Sequence, residues 1–253
     1  MSSFSIIIPA RLASTRFPRK VLHNIHGLPM IEHVRRRGLL VEGVDKVVVA
    51  TCDKEIVSVI KDFSGEVILT SRSHINGTHR IAEAARKIES NHIILLQGDE
   101  PCVEPDTITS FIDFIKKNKA NFFNIVSPIT NKKILYDTST VKCSLDDNSI
   151  KNCFRKSPYI ADYENQKNYV YKMLGIMSFE RNFLLNIKNL TASIFSKNES
   201  IEQLQLIDNN VDMKGFIIER DYPSINNVRD LDLMEKEFRK IKQKKLLSLI
   251  LRD

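Results

Sequence analysis

Four cations and two hydroxyls fall within ten residues of this chain: Arg11, Ser14, Thr15, Arg16, Arg19 and Lys20. Cations, hydroxyls and backbone N–H groups gathered in one loop suit an oligophosphate. By composition alone the segment would equally suit a solvated basic loop. It follows the apolar, β-branched run Ser5-Ile6-Ile7-Ile8, which reads as a strand buried on both faces. Pro9 and Pro18 and the small polar residues between them end that strand. A loop leaving the carboxyl end of a central strand is where open α/β sheets bind ligands. Neither G-x-x-x-x-G-K-[S/T] nor G-x-G-x-x-G occurs here, so the ordinary phosphate-loop and dinucleotide fingerprints are absent. A second group, Gln97-Gly98-Asp99-Glu100-Pro101, closes the apolar run His92–Leu96. An acid at that place is a natural metal ligand beside a phosphate. The alternative is that Asp99 caps the helix at 106–117, but Pro105-Asp106 lies closer to it, which leaves Asp99 for chemistry.

The elements that must position these groups read as an α/β fold with a parallel sheet. Apolar runs at 46–51, 66–70 and 92–96 alternate with helical patterns at 54–63 and after residue 80. Asp53 reads as the cap of the first of these helices. From residue 120 the pattern changes. Strands are expected at 121–129, 140–145, 169–179 and 216–219, a tight turn at 146–148, and an irregular stretch at 151–168. These read as mixed or antiparallel strands added to the sheet, with an inserted, protruding arm at about 120–215. Residues 182–187 and 200–207 read as helices, and Leu231 onward as one long charged helix. No linker divides the 253 residues, so one domain is expected.

Charge is 38 basic minus 31 acidic residues, or +7, which favours anionic partners. A nucleic-acid module is disfavoured because no RRM, KH, zinc-finger or helix-turn-helix pattern occurs. The basic C-terminal helix reads as a surface helix, with a membrane-surface role as the alternative. No apolar run reaches the roughly 18 residues that span a bilayer. No leader is visible, and the cysteines at 52, 102, 143 and 153 match no metal or haem spacing. A reducing cytoplasm is the expected location. His23, His26, His33 and His92 read as structural, whereas His74 and His79 flank Gly77-Thr78.

A basic loop after one strand and an acid after another, on the same sheet edge, meet the needs of nucleotidyl transfer. Cations and Mg²⁺ neutralise a triphosphate while an acceptor is held in line.

The segments Ile8–Lys20, His74–Arg80 and Leu96–Pro101, in that order and spacing, resemble the 3-deoxy-D-manno-octulosonate cytidylyltransferases (CMP-Kdo synthetases). Weaker landmarks at Val141-Lys142, Leu174-Gly175-Ile176, Glu199–Glu202 and Asp230-Leu231 extend the resemblance over essentially the whole chain. It implies a Rossmann-like nucleotidyltransferase fold: a mixed, mostly parallel sheet with helices on both faces and a small dimerisation arm. It implies that CTP and a 2-keto-3-deoxy sugar acid give the CMP-sugar acid and pyrophosphate, by direct attack of the anomeric hydroxyl on the α-phosphate. Arg11, Lys20 and Asp99 are then the catalytic residues. Pro9, Ala10, Arg11, Ser14, Thr15, Arg16, Lys20, His74, Gly77, Thr78 and Arg80 bind the nucleotide. Gln97, Lys142, Lys156, Lys172, Glu199 and Glu202 meet the sugar acid. Asp99 and Asn226 hold Mg²⁺, and the chain pairs as a homodimer.

This chain departs from the family pattern. Arg19 stands at a usual glycine, Asn76 and His79 at a usual serine and acid, and Asn226, or Asn227 if the register slips by one, at a second metal-binding aspartate. A Ser-Arg pair becomes Arg155-Lys156, and a histidine becomes Met173. The acceptor half departs most. The implied substrate is therefore 3-deoxy-manno-octulosonate or a relative: an 8-amino-8-deoxy acid or a nine-carbon nonulosonate.

Overall fold

The computed structural model describes residues 2–14, 16–156, 163–166 and 168–252. The strands are β1 (Phe4–Ala10), β2 (Asn24–Ile25), β3 (Leu28–Pro29), β4 (Lys46–Thr51), β5 (Glu66–Leu69), β6 (His92–Leu96), β7 (Phe122–Pro128), β8 (Lys142–Asp146), β9 (Ser149–Phe154), β10 (Val170–Glu180) and β11 (Met213–Ile217). β2 and β3 form a small hairpin. The other nine make one sheet in the order β5-β4-β1-β6-β10-β7-β11-β9-β8. β1 lies between β4 and β6 and is parallel to both, as a run without a polar face requires. β10 runs antiparallel to β6 and β7, and β9 antiparallel to β11; the other seven strands share one direction.

Alternate β1 side chains feed two cores. Ile6 and Ile8 pack with the helices Met30–Leu39 and Pro105–Lys117, and Ile7 packs on the opposite face with the helix Gly77–Ala84. Pro105–Lys117 puts an apolar stripe on the sheet and leaves its polar side to solvent, whereas Met30–Leu39 buries Glu32, His33, Arg35 and Arg37 as well. Residues 120–215 supply β7 to β11, so the described part of that region continues the main sheet.

Three expectations change. Residues 151–154, expected to be irregular, belong to β9 and pair with β8, with Cys143 opposite Cys153. Asp147 (φ 43°) and Asn148 (φ 62°) make the connecting turn, a left-handed backbone that Asn and Asp tolerate. The C-terminal helix is two helices, Asp230–Phe238 and Ile241–Ile250, divided where Lys240 turns extended. Asp53 makes no capping bond to its helix; its carboxylate accepts the Leu12 N–H at 2.8 Å and so braces the basic loop.

Candidate active site

A cleft of about 1040 Å³ opens along the carboxyl ends of β1 and β6. One end, expected to take the nucleotide, is built from the basic loop. Pro9, Ala10, Arg11, Ser14, Arg16 and Lys20 line it, and Thr15 lies outside the described residues. The Lys20 ammonium pairs with the Asp99 carboxylate and donates to the Ile225 carbonyl at 3.0 Å. Ile225 N–H in turn donates to the Asp99 carbonyl at 3.0 Å, so loop, acid and distal segment meet at one point. Arg16 donates to the Asn226 amide oxygen at 3.0 Å. Arg19 takes a left-handed backbone (φ 59°) and points its guanidinium away, to exposed Glu55.

Asn76, the usual serine's position, caps the Gly77–Ala84 helix, accepting the His79 N–H at 2.9 Å. The first turn of that helix brings Gly77 and Arg80 to the cleft, beside His74. Buried Arg80 is fixed by Thr70 Oγ1 (2.6 Å) and the Ser71 carbonyl (3.3 Å), and His74 is paired with Glu83. Thr78 turns inward, and its hydroxyl donates to Glu202 rather than lining the cleft. His79 also points away from the cleft, and burial lowers its pKa.

The acceptor end lies where β10 passes the Gln97–Pro101 segment. The β10–β7 register breaks between Met173 and Met177, and the Asn124 amide donates into the gap, to the Leu174 (2.9 Å) and Ile176 (3.1 Å) carbonyls. A Cβ on Gly175 would lie 2.8 Å from Gln97 Cγ and 2.9 Å from Glu100 Oε1, so only glycine lets β10 come this close. Gln97, Lys172 and Glu202 line this end. Lys172 pairs with both oxygens of Asp221, at 2.8 and 2.7 Å. Glu100 is wholly buried; Ser224 donates to its Oε1 at 2.6 Å, while Oε2 has no partner among the described residues. Burial, reinforced by Asp99, pushes its carboxyl up to about 7.

Three expected acceptor residues lie elsewhere. Lys142 is fully buried, and its ammonium donates to the carbonyls of Asp137 (2.7 Å), Thr140 (2.9 Å) and Arg155, so it ties a loop to the end of β9. Lys156 is exposed and outside the cleft. Its neighbour Arg155 is the residue that lines it, bonded to the Ser139 (2.9 Å) and Glu199 (3.2 Å) carbonyls. Glu199 is exposed and takes part only through that carbonyl. Sequence reasoning also passed over Asp221 and Ser224, which stand in a loop without a motif and reach the cleft only through the fold.

Cations gathered at one end of the cleft and mixed charges at the other, on this sheet, suit a nucleotidyltransferase. A cytidylyltransferase family model matches residues 5–215. A 3-deoxy-manno-octulosonate cytidylyltransferase from Thermodesulfovibrio yellowstonii is 34% identical over 244 residues, covering 91% of this chain and 96% of its own. The Leptospira biflexa enzyme of the same name is also 34% identical, covering 92% and 96%. A solved CMP:2-keto-3-deoxy-manno-octonic acid synthetase, complexed with CTP, superposes with a TM-score of 0.86 at 31% identity, covering 93% of this chain and all of that one. An inositol-1-phosphate CTP transferase from T. maritima shares the fold, with a TM-score of 0.69 at 15% identity over 95% of this chain and 98% of that one. The chain belongs to the 3-deoxy-manno-octulosonate cytidylyltransferase family.

Proposed function

We propose that this enzyme transfers CMP from CTP to 3-deoxy-manno-octulosonate or a closely related 2-keto-3-deoxy sugar acid, releasing pyrophosphate. The observation that carries the reading is the Lys20–Asp99 pair, bound to the Ile225 carbonyl, at the junction of the nucleotide and acceptor ends. Arg11, Ser14, Arg16 and Lys20 hold the triphosphate, and their charge offsets what develops on the α-phosphate and the leaving pyrophosphate. Ala10, His74, Gly77 and Arg80 border the base. Lys172 takes the acceptor carboxylate, with Gln97 and Glu202 on its hydroxyls. The anomeric hydroxyl attacks the α-phosphate in line, and the enzyme supplies mainly orientation and charge.

Among the described residues no cluster of three His, Cys, Asp or Glu side chains forms a self-sufficient metal site. Magnesium needs none, because it takes one or two protein oxygens plus phosphate oxygens and waters. The Asp99 carboxylate and the Asn226 amide oxygen line the cleft, linked through Lys20 and Ile225, and this all-oxygen set fits it. Asp99 with Asn226 would hold Mg²⁺, which when bound supplies charge to the triphosphate oxygens. Four free thiols suit a reducing cytoplasm, and the described residues include no helix long and apolar enough to cross a membrane. Homodimerisation through the 120–215 region is part of the same reading.

Asp221 and Glu100 put two carboxyls beside Lys172, and this favours as a second reading an acceptor with an amino group, such as an 8-amino-8-deoxy acid. The test is pyrophosphate release with CTP and Mg²⁺ against 3-deoxy-manno-octulosonate, its 8-amino derivative and a nonulosonate, with UTP and ATP as controls. Release with CTP and one acid supports the reading and names the acceptor. Silence with every acid, while CTP binds, overturns it.

A further inference from the structure

The loop after β11 borders the acceptor end, and its successive residues face opposite ways. Arg220 turns into the protein: its Nη2 donates to Glu104 at 2.5 Å and to Glu237 at 2.9 Å. Both carboxylates are buried, at 6% and 7% exposure. The guanidinium also lies 5.0 Å from the Tyr222 ring centroid, and the Tyr222 hydroxyl is hydrogen-bonded to Thr107 at 2.7 Å. Asp221, between them, turns outward to Lys172.

A buried carboxylate is costly unless a cation stays beside it. Glu104 and Glu237 also meet Lys242 at 2.8 Å and Lys240 at 2.5 Å, but those lysine side chains are more than half exposed and each meets only one of the two carboxylates, whereas Arg220 joins both. A shift of the loop would therefore take from each buried carboxylate the cation that both share. On its other side, a lysine ammonium sits on a flexible four-carbon stem and loses entropy when ordered. Two of its three N–H groups are fixed by Asp221, which leaves one to donate to an acceptor carboxylate.

We propose that Arg220 is a positioning residue for acceptor binding: held between Glu104 and Glu237, it fixes the loop so that Asp221 aims the Lys172 ammonium into the acceptor end of the cleft. The inference rests on the acceptor reading above. Nothing in it involves the nucleotide loop, so it predicts a split between the two substrates.

The experiment is steady-state kinetics of the full chain with CTP and 3-deoxy-manno-octulosonate, or whichever acid of the panel is turned over, with the thermal midpoint of each variant measured alongside. Arg220→Met is expected to raise the acceptor KM at least tenfold while the CTP KM stays within twofold. Arg220→Lys should recover part of the loss. Asp221→Asn should raise the acceptor KM as well, and adding Arg220→Met to it should cost little more, because both act through Lys172. If Arg220→Met does not fold, Glu237→Gln weakens the same clamp and should shift the acceptor KM in the same direction. An unchanged acceptor KM in an active enzyme, or equal movement of both KM values, overturns the clamp alone. A wild-type enzyme that turns over none of the acids overturns the acceptor reading and the clamp with it.

Discussion

At the nucleotide end of the cleft, Arg11, Ser14, Arg16 and Lys20 come from one ten-residue loop; at the acceptor end, Lys172, Glu202, Asp221 and Ser224 come from three segments. The charge plans differ as well. The end with the basic loop collects Arg11, Arg16, Lys20 and Arg80 against Asp99 and, beside Asn226, Asp230, an excess that an oligophosphate would neutralise. The acceptor end balances Lys172 with Asp221 and adds Glu100 and Glu202, so a sugar acid meets a wall already paired within itself. A triphosphate can be bound by excess charge on a short loop, whereas a small polyol acid has to be oriented by groups fixed in advance.

The largest test of this contrast removes the residue that joins the two ends. Lys20→Met leaves Asp99 without its cation and takes charge from the triphosphate. A loss of about 10²–10³ in kcat is expected, read as pyrophosphate release at saturating substrates. A drop of less than fivefold would detach Lys20 from the chemistry.

A second test separates the acceptor wall from the scaffold behind it. Lys142→Met leaves three part-buried carbonyls without their donor and should cost about 2 kcal/mol, read as a lower denaturant midpoint at unchanged m-value. The acceptor KM should stay within twofold. A tenfold rise with unchanged stability would return Lys142 to the acceptor site.

A third test is a pH dependence. Glu100 has its pKa raised from 4.5 to about 7 in the folded chain, so between those values the native state holds a proton that the unfolded state has lost. Its contribution to stability is full below pH 4.5 and falls as pH rises to about 7. Glu100→Gln should therefore gain on the wild type across that window, by roughly 3 kcal/mol at its upper end. A stability difference flat in pH would place the carboxyl in water rather than behind Gly175.

The same contrast decides what could be read from the sequence. The basic loop was legible because its cations fall within ten residues and follow a run that reads as a buried strand. Asp99 was legible for the same reason, at the end of β6. The acceptor wall depends on β10 lying antiparallel between β6 and β7, on its broken register at Leu174–Ile176, and on where the loop after β11 returns. None of these is local. Arg155 and Lys156 show the limit at its finest. One lines the cleft and the other faces solvent, and which of two adjacent residues at a strand end turns inward is set by the pleat and the packing, not by residue type. Lys142 shows it again: lysine is seldom buried, and only the curl of residues 137–140 around it supplies the carbonyls that make burial tolerable. The Asp53 carboxylate goes to the basic loop instead of its helix because Leu12 comes within reach only once β1 and β4 pair.

The division of the cleft into two ends is tested most directly by Lys172→Met, with both KM values measured in one assay. The account predicts an acceptor KM raised at least tenfold and a CTP KM within twofold of wild type. A variant in which the two constants rise together, or in which only the CTP constant moves, would contradict it.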